Sequence, residues 1–507
     1  MPKKLPIFYS ALLLTAVNLL LRLVGTSFQV YLSGRIGPAG IGLLQLTMSV
    51  GSLAMVAGIA GIRTATMYIT AEELGKGRPR NVGRVLSGCF VYSILCSGAV
   101  ASLLYGFAPQ IAENWIGDGR TVDALRLFAA FLPVTCLCSV MTGYFTAANR
   151  IGTLVAVEVA EQLCSMAVTM VLLALWAGTD PGRACLCVVF GSALGACLTL
   201  VCLVVLRLRE QIGSADPIPV RSRLLHAAVP LALADVLKSG ISTTENLMVP
   251  KRLALNPLVS NPLAAFGLVS GMVFPVLMFP ACILFGLAEL LIPELARCAA
   301  AGSSQRIRYL VRRSLKAAML YGLVFSGLMF LLSEILCQKL YGSTEAGRYL
   351  RLYSLLIPML YCDALTDAMT KGLGQQKACV RYNILTNSLD VLLLYFLLPK
   401  YGMEGYFFSF LMTHLLNFLL SLRRLLGITG QKIPFHVPAL ALSAAIAAVW
   451  GAFTFSNPVG RCLVFTALLF SLLHLFGVTG REDWRWLVGV IGSKRSSPLP
   501  ERTASQG

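Results

Sequence analysis

The 507-residue sequence predicts an all-α integral membrane protein of about fourteen transmembrane helices. Three observations predict it. The chain is 57% hydrophobic and 13% charged, with a mean hydropathy of +0.75, whereas soluble domains carry about 25% charged and about 45–50% apolar residues. Its apolar runs, such as Ala11–Leu21 and Val168–Trp176, are continuous, which excludes the alternating strands of a membrane β-barrel. Its length also suits the prediction, because a helical crossing needs roughly 20 apolar residues, or about 35 with its loop.

Taken in order, the candidate spans are 6–32, 40–70, 85–108, 125–147, 154–178, 184–206, 226–248, 264–292, 315–337, 350–371, 380–398, 404–422, 437–455 and 459–477. The opening Met-Pro-Lys-Lys followed by an apolar run imitates a secretory signal. No small-residue cleavage site follows, and Arg22 and Gln29 stand where the cut would come, so this is expected to be the first span. The distribution of Lys and Arg tests the register. With both termini cytoplasmic, 28 of the 42 basic residues fall on inner segments, 11 on outer ones and three (Arg22, Arg63, Lys238) within spans. That asymmetry is the positive-inside pattern expected at a cytoplasmic cell membrane. It also explains the net charge of +19 without nucleic acid, which would need the charge gathered on one exposed face.

An internal repeat organises the spans. Leu125-Arg126-Leu127-Phe128 returns as Leu350-Arg351-Leu352-Tyr353, and Pro133 as Pro358, both at an offset of 225. The motif opens the fourth span and again the tenth, so spans 1–6 correspond to spans 7–12. The expected organisation is an N-terminal lobe at 1–206, a cytoplasmic linker at 207–225 around Asp216-Pro-Ile-Pro219, and a C-terminal lobe at 226–430. Two extra helices follow at 431–479, then a polar cytoplasmic tail at 480–507. Parallel repeats of six spans form a recurrent transporter plan, with the substrate site between the halves.

Charges at bilayer depth are functional candidates. They are Arg22, Arg63, Lys238 with Asp235, Glu158, Glu161, Glu245, Glu289, Asp363 with Asp367, and Asp390. For each acid an interhelical pair is the plain alternative. An arginine cannot deprotonate, so each needs an anion, a carboxylate or water. No nucleophile elbow, P-loop or zinc-binding His-Glu-x-x-His is present, which argues against an enzyme. The fifteen cysteines lack metal or redox spacing and read as reduced packing residues; no metal site or cofactor is expected. Gly191-x-x-x-Gly195 and Gly267-x-x-x-Gly271 read as small-residue contacts between helices.

An ordered set of local patterns carries a family resemblance over about residues 5–430. It comprises Arg22-Leu-Val-Gly25, Gly61-Ile-Arg-Thr-Ala, Ala71-Glu-Glu-Leu-Gly-Lys76, Gly143-Tyr-Phe145, Glu161-Gln162 and Val229-Pro230. Val249-Pro-Lys-Arg-Leu253, Phe279-Pro280, Leu291-Ile-Pro-Glu-Leu295 and Gly372-Leu-Gly374 complete it. Together they resemble the polysaccharide-exporter branch of the multidrug/oligosaccharidyl-lipid/polysaccharide exporter superfamily. Within that branch the chain is similar to the stage V sporulation protein B group, related to lipid II flippases. The resemblance implies two six-helix lobes around a central cavity and alternating access. It implies a flippase for polyprenyl-pyrophosphate-linked saccharide, a peptidoglycan precursor or polysaccharide unit, serving sporulation or cell-wall synthesis. Arg22 matches a cavity arginine of that family. Phe28 and Gln29 stand where lipid II flippases carry a further Arg-Asp pair, and Ser165 where an Arg often follows Glu-Gln.

The expectation is therefore that Arg22, Arg63 and Lys238 bind the pyrophosphate and that the polyprenyl tail lies in lipid beside spans 13 and 14. Asp235, Asp363 and Asp390 are candidates for coupling to H+ or Na+. The expected partners are the lipid-linked saccharide, membrane lipid and the cell-wall synthesis machinery. The alternatives are a multidrug/cation antiporter of the same superfamily and a membrane enzyme acting on lipid-linked sugars.

Overall fold

A computed structural model describes residues 7–76, 78–178, 180–208, 220–431 and 436–479, and among them the chain is helical with no strand. Lipid offers no hydrogen bonds, so each apolar run satisfies its own backbone by coiling. The first helix, α1 (Ile7–Ile59), contains predicted span 1 and most of span 2. It breaks at Gly37, whose φ of 70° suits glycine and which Pro38 follows. Gln29 and Gln45, equally far before and after that break, line one cavity, so the chain doubles back there. Past a bend at Ala60 and Gly61, α2 (Ile62–Gly75) completes the second pass.

Spans 3–6 are α3 (Val82–Gln110), α4 (Val122–Ala147), α5 (Ile151–Leu172) and α6 (Pro181–Leu208). Span 7 is α7 (Val220–Leu253), which begins inside the segment expected as linker. The Asp216-Pro-Ile-Pro219 stretch and the tail at 480–507 lie outside the described residues. Span 8 is broken. It runs through α8 (Pro262–Gly267), a wider helical turn at Leu268–Val273 and α9 (Phe274–Met278), then bends by 64° at Phe279-Pro280 into α10 (Ala281–Ala300). A proline removes a ladder hydrogen bond and clashes with the preceding turn, which is why the bend falls there.

Span 9 is α11 (Ser304–Tyr341), and span 10 is α12 (Thr344–Ser354) with α13 (Ile357–Gly372). In α14 (Gln376–Thr429) spans 11 and 12 meet at Gly402, with a φ of 59°. Asp390 before that break accepts a hydrogen bond from Thr413 after it, so this helix also doubles back. The last two passes, α15 (His436–Ala452) and α16 (Pro458–Leu475), pack an alanine-rich seam and Phe465 against α11. The described residues thus make fourteen passes, arranged as two six-helix lobes and two extra helices.

The repeat is visible in the geometry at the same offset of 225. Left-handed residues end matched helices at Gly117 and Gly342, and at Asn149 and Gly374. The guanidinium of Arg126 lies 5.4 Å from the Tyr105 ring centre, and that of Arg351 5.6 Å from Phe330. In both arginines Nε is buried without a hydrogen-bond partner. The two small-residue motifs are close contacts as expected. A methyl group on Gly191 would lie 2.1 Å from Thr169 Oγ1, and one on Gly271 1.9 Å from Ile41. All fifteen cysteines are free.

Candidate functional site

The lobes meet along two seams, α1 against α8–α10 and α1–α2 against α7. At the end of the molecule that carries Pro38, the backbones of matched glycines cross. A Cβ on Gly267 would stand 2.1 Å from Pro38 O, and one on Gly42 2.3 Å from Leu263 O. No side chain fits there, so the lobes are sealed at the Pro38 end. At the opposite end Arg223 of α7 bridges to α2, with Nη1 donating to Glu73 at 2.8 Å and Nη2 to Glu72 at 2.6 Å. Glu73 is buried and also accepts from Asn81 at 3.1 Å.

Between these ends lies a cavity of about 580 Å³. From the N-terminal lobe Arg22, Gln29, Gln45 and Gln162 enter it; from the other come Phe285 and Glu289. Arg22 sits over the Phe285 ring at 4.9 Å and makes no ion pair among the described residues. Gln29 donates to Gly271 O at 3.0 Å across the seam. A guanidinium with no ion pair among the described residues, facing a polar space that also holds three amide side chains and the Glu289 carboxyl, can receive an anion.

The other proposed cations do not line this cavity. Arg63 is exposed on α2 and near enough to Glu158 for the two charges to interact. Lys238 and Asp235 are exposed on α7, one turn apart. A smaller polar pocket of about 240 Å³ lies between α1 and α7, and its lining residues include Gln45, Ser49, Ser52, Ser239, Ser242 and Asn246. Gln45 thus borders both spaces.

The interior of the C-terminal lobe holds acids. Asp390, 6% exposed, accepts from Ser409 Oγ at 2.5 Å and Thr413 Oγ1 at 3.2 Å. Glu245 of α7 lies near enough to Asp390 for the two carboxyl groups to interact. Lower on the same face of α14, Asn417 Nδ2 donates to both carboxylate oxygens of Asp363, at 3.1 and 3.2 Å. Asp363 and Asp390 are therefore brought onto one helix face, and Asp235 is not. Sequence reasoning missed Glu245 as the partner of Asp390. The signal available was the polar stripe Ser409, Thr413 and Asn417 at helical spacing within an apolar span. Two carboxyl groups in a low-dielectric interior repel when both are charged, and a cation between them relieves this. Among the described residues no group of three or more His, Cys, Asp or Glu is placed to hold a metal ion.

Comparison with known proteins agrees with this architecture. The MatE family matches residues 15–177 and 230–396, which together exceed half of the chain and fall one in each lobe. Stage V sporulation protein B of Bacillus subtilis (strain 168) is 20% identical over 406 residues, covering 78% of both chains. Among solved structures, lipid II flippase MurJ in an inward closed conformation superposes with a TM-score of 0.69 at 13% identity. The match covers 94% of this chain and 100% of that one. An inward-facing multidrug resistance MATE family transporter of the MOP superfamily gives 0.65 at 12% identity, over 83% and 100%.

Proposed function

The chain belongs to the MatE family and is a multi-pass membrane transporter of the MOP superfamily, and from that premise we propose that it flips a polyprenyl-pyrophosphate-linked saccharide. The observation that carries this reading is Arg22, which lines the cavity between lobes with no ion pair among the described residues. Its planar fork suits a pyrophosphate, and the three glutamines offer donors and acceptors to a sugar head. Arg63 and Lys238 flank the path on α2 and α7 and meet the pyrophosphate as it moves. The polyprenyl tail stays in lipid, beside α15 and α16 during entry.

In this reading both termini face the cytoplasm, so the Pro38 end is outer and the Gly42–Gly267 crossing is the outer seal. The lobes, at 1–206 and 226–430, rock about the cavity. A proton or sodium ion bound at Asp390 and Glu245 drives the cycle, with Asp363 as a second station. The cell-wall or spore-wall synthesis machinery receives the cargo. A drug/cation antiporter is the second reading; the acidic interior of the C-terminal lobe and the likeness to MATE folds favour it. Arg22 decides between them, because it repels a cationic drug and attracts a phosphate.

The test is reconstitution in liposomes with a fluorescent lipid-linked saccharide and a membrane-impermeant quencher. Arg22→Ala is expected to slow flipping at least about a hundredfold, the scale of two charge-assisted hydrogen bonds. Arg22→Lys should recover part of it. Undiminished flipping in both variants, or efflux of a cationic dye by wild type without flipping, would favour the antiporter.

A further inference from the structure

The motif Val249-Pro-Lys-Arg-Leu253 has no part in the cavity just described, yet it ends an apolar groove on the flank of α7. That groove, about 810 Å³, runs along α7 from Val236 to Arg252 and is walled on its other sides by Leu53, Trp115 and Tyr395. Sixteen residues of helix make it roughly 24 Å long. Its top is cationic. Lys251 Nζ donates to Asn114 O. Arg252 donates to Tyr395 O through Nε at 3.2 Å and Nη2 at 3.0 Å, with its guanidinium 3.4 Å from the centre of the Tyr395 ring. Among the described residues both cations thus have carbonyl partners and no carboxylate.

The groove is also continuous with the cavity. Thr243 borders both the groove and the polar pocket between α1 and α7, and Gln45 links that pocket to Arg22. Among the described residues two side-chain hydrogen bonds zip this passage: Thr243 Oγ1 to Ser49 O at 3.1 Å and Asn246 Nδ2 to Ser49 Oγ at 3.0 Å. Serines and threonines can exchange such bonds for those of a passing head group at little cost.

We propose that this groove is the exit berth of the cargo, with Lys251 and Arg252 holding its phosphates at the outer interface while its polyprenyl chain lies along α7. The inference rests on the flippase reading. Three features select the occupant. Two cations without carboxylate partners demand an anion. Their place at the last turn of α7, beside exposed Trp115 and Tyr395, is headgroup depth. A groove of roughly 24 Å exceeds the ~15 Å that one leaflet of a ~30 Å core gives an acyl chain, and so suits a longer prenyl chain over a phospholipid.

Native mass spectrometry of the full chain in detergent tests this, with a polyprenyl phosphate and phosphatidylglycerol as separate probes. Two variants are compared with wild type: Lys251→Gln/Arg252→Gln, and Leu237→Trp, which fills the groove and leaves its charges alone. Each is expected to weaken polyprenyl-phosphate binding at least about tenfold with phosphatidylglycerol retention unchanged. The double variant should also slow flipping in liposomes. Equal losses for the two lipids would replace the cargo berth with a general anionic-lipid site and overturn the proposal. So would unchanged binding in both variants, which would leave Lys251 and Arg252 as cations snorkelling from a helix end. Wild type that flips and binds while the variants match it defeats this inference alone; wild type that flips no lipid-linked saccharide defeats the flippase reading as well.

Discussion

The two lobes share a backbone plan and divide the chemistry between them. At the 225-residue offset, Asp390 matches Ser165, Asp363 matches Cys138, and Glu245 matches Leu20. Ser409 and Thr413, which hold Asp390, match Ala184 and Val188. In the reverse direction Arg22 matches Leu247, and Arg63 matches Ala288. The N-terminal lobe thus faces the cavity with a cation, while the C-terminal lobe keeps paired acids inside. Where the N-terminal lobe does hold an interior acid, Glu161, one hydroxyl meets it, from Thr199 at 2.6 Å. Positions that set the backbone agree between halves, and those that carry charge into the interior diverge. A repeat can fold twice and specialise once.

The comparison breaks most directly at its acids. Asp390→Asn is expected to lower gradient-driven transport at least about a hundredfold, since disrupting a buried, hydrogen-bonded charge costs ~3 kcal/mol or more. The mirror substitution, Ser165→Asp, lands one turn from Glu161 and should add no ion dependence, because Ala184 and Val188 stand where Ser409 and Thr413 hold Asp390. Flux measured with and without an imposed H+ or Na+ gradient reads both. Retained coupling in Asp390→Asn would move the coupling site elsewhere and remove the division of labour between lobes.

Much of the fold was legible because it follows from lipid. Each long apolar run had to be a helix, and the charge register left one consistent count. The repeat was legible from Leu125-Arg126 and Leu350-Arg351, which the structure shows doing the same job against Tyr105 and Phe330. Less legible were the joints. Gly37 and Gly402 read as loop residues, yet each turns a nearly unbroken run of helical residues back on itself. Of the candidate site, Arg22, Asp363 and Asp390 could be found by depth alone. The pairing of Glu245 with Asp390 could not, since 145 residues separate them and no periodicity in one helix reports on its neighbour. Arg63 and Lys238 satisfy the same depth criterion and line neither the Arg22 cavity nor the polar pocket beside it.

Where the halves share backbone, they should respond alike. Gly42→Ala and Gly267→Ala each push a methyl group into carbonyl oxygens across the seal, at 2.3 and 2.1 Å. Backbone cannot yield as a side chain does. Overpacking of this kind costs about 1–3 kcal/mol, enough to shift the closed population roughly ten- to a hundredfold. Labelling of a cysteine introduced beside the seal should rise to the same degree in both variants. A rise in one alone would show the seal to be asymmetric and confine the symmetry to the helices.

The smallest expected effect lies at matched caps, one on α12 and one on the short turn Gly119–Thr121 that leads into α4. In the C-terminal lobe Ser343 Oγ accepts from Ala346 N at 3.1 Å, a neutral cap. At the same offset Asp118 accepts from Arg120 N at 3.0 Å and pairs with the Arg120 guanidinium at 2.6 Å. The Arg120 side chain holds the Asp118 carboxyl below the ordinary carboxylate range, against the opposing effect of partial burial. A carboxyl whose folded pKa is depressed contributes its full stability above its unfolded value, near pH 4. That contribution is lost as pH falls through the folded value. Because Arg120 is half exposed and solvent screens the pair, its worth is ~0.2–1 kcal/mol. Asp118→Ser should therefore lower the apparent Tm slightly at pH 7, and by progressively less as pH falls below about 4. Ser343→Asp, with no arginine two residues on, should not reproduce the effect. Thermal unfolding of both variants across that pH range distinguishes a charged cap from a merely geometric one. An equal loss at every pH in Asp118→Ser would mean that the two lobes cap these helices by shape alone.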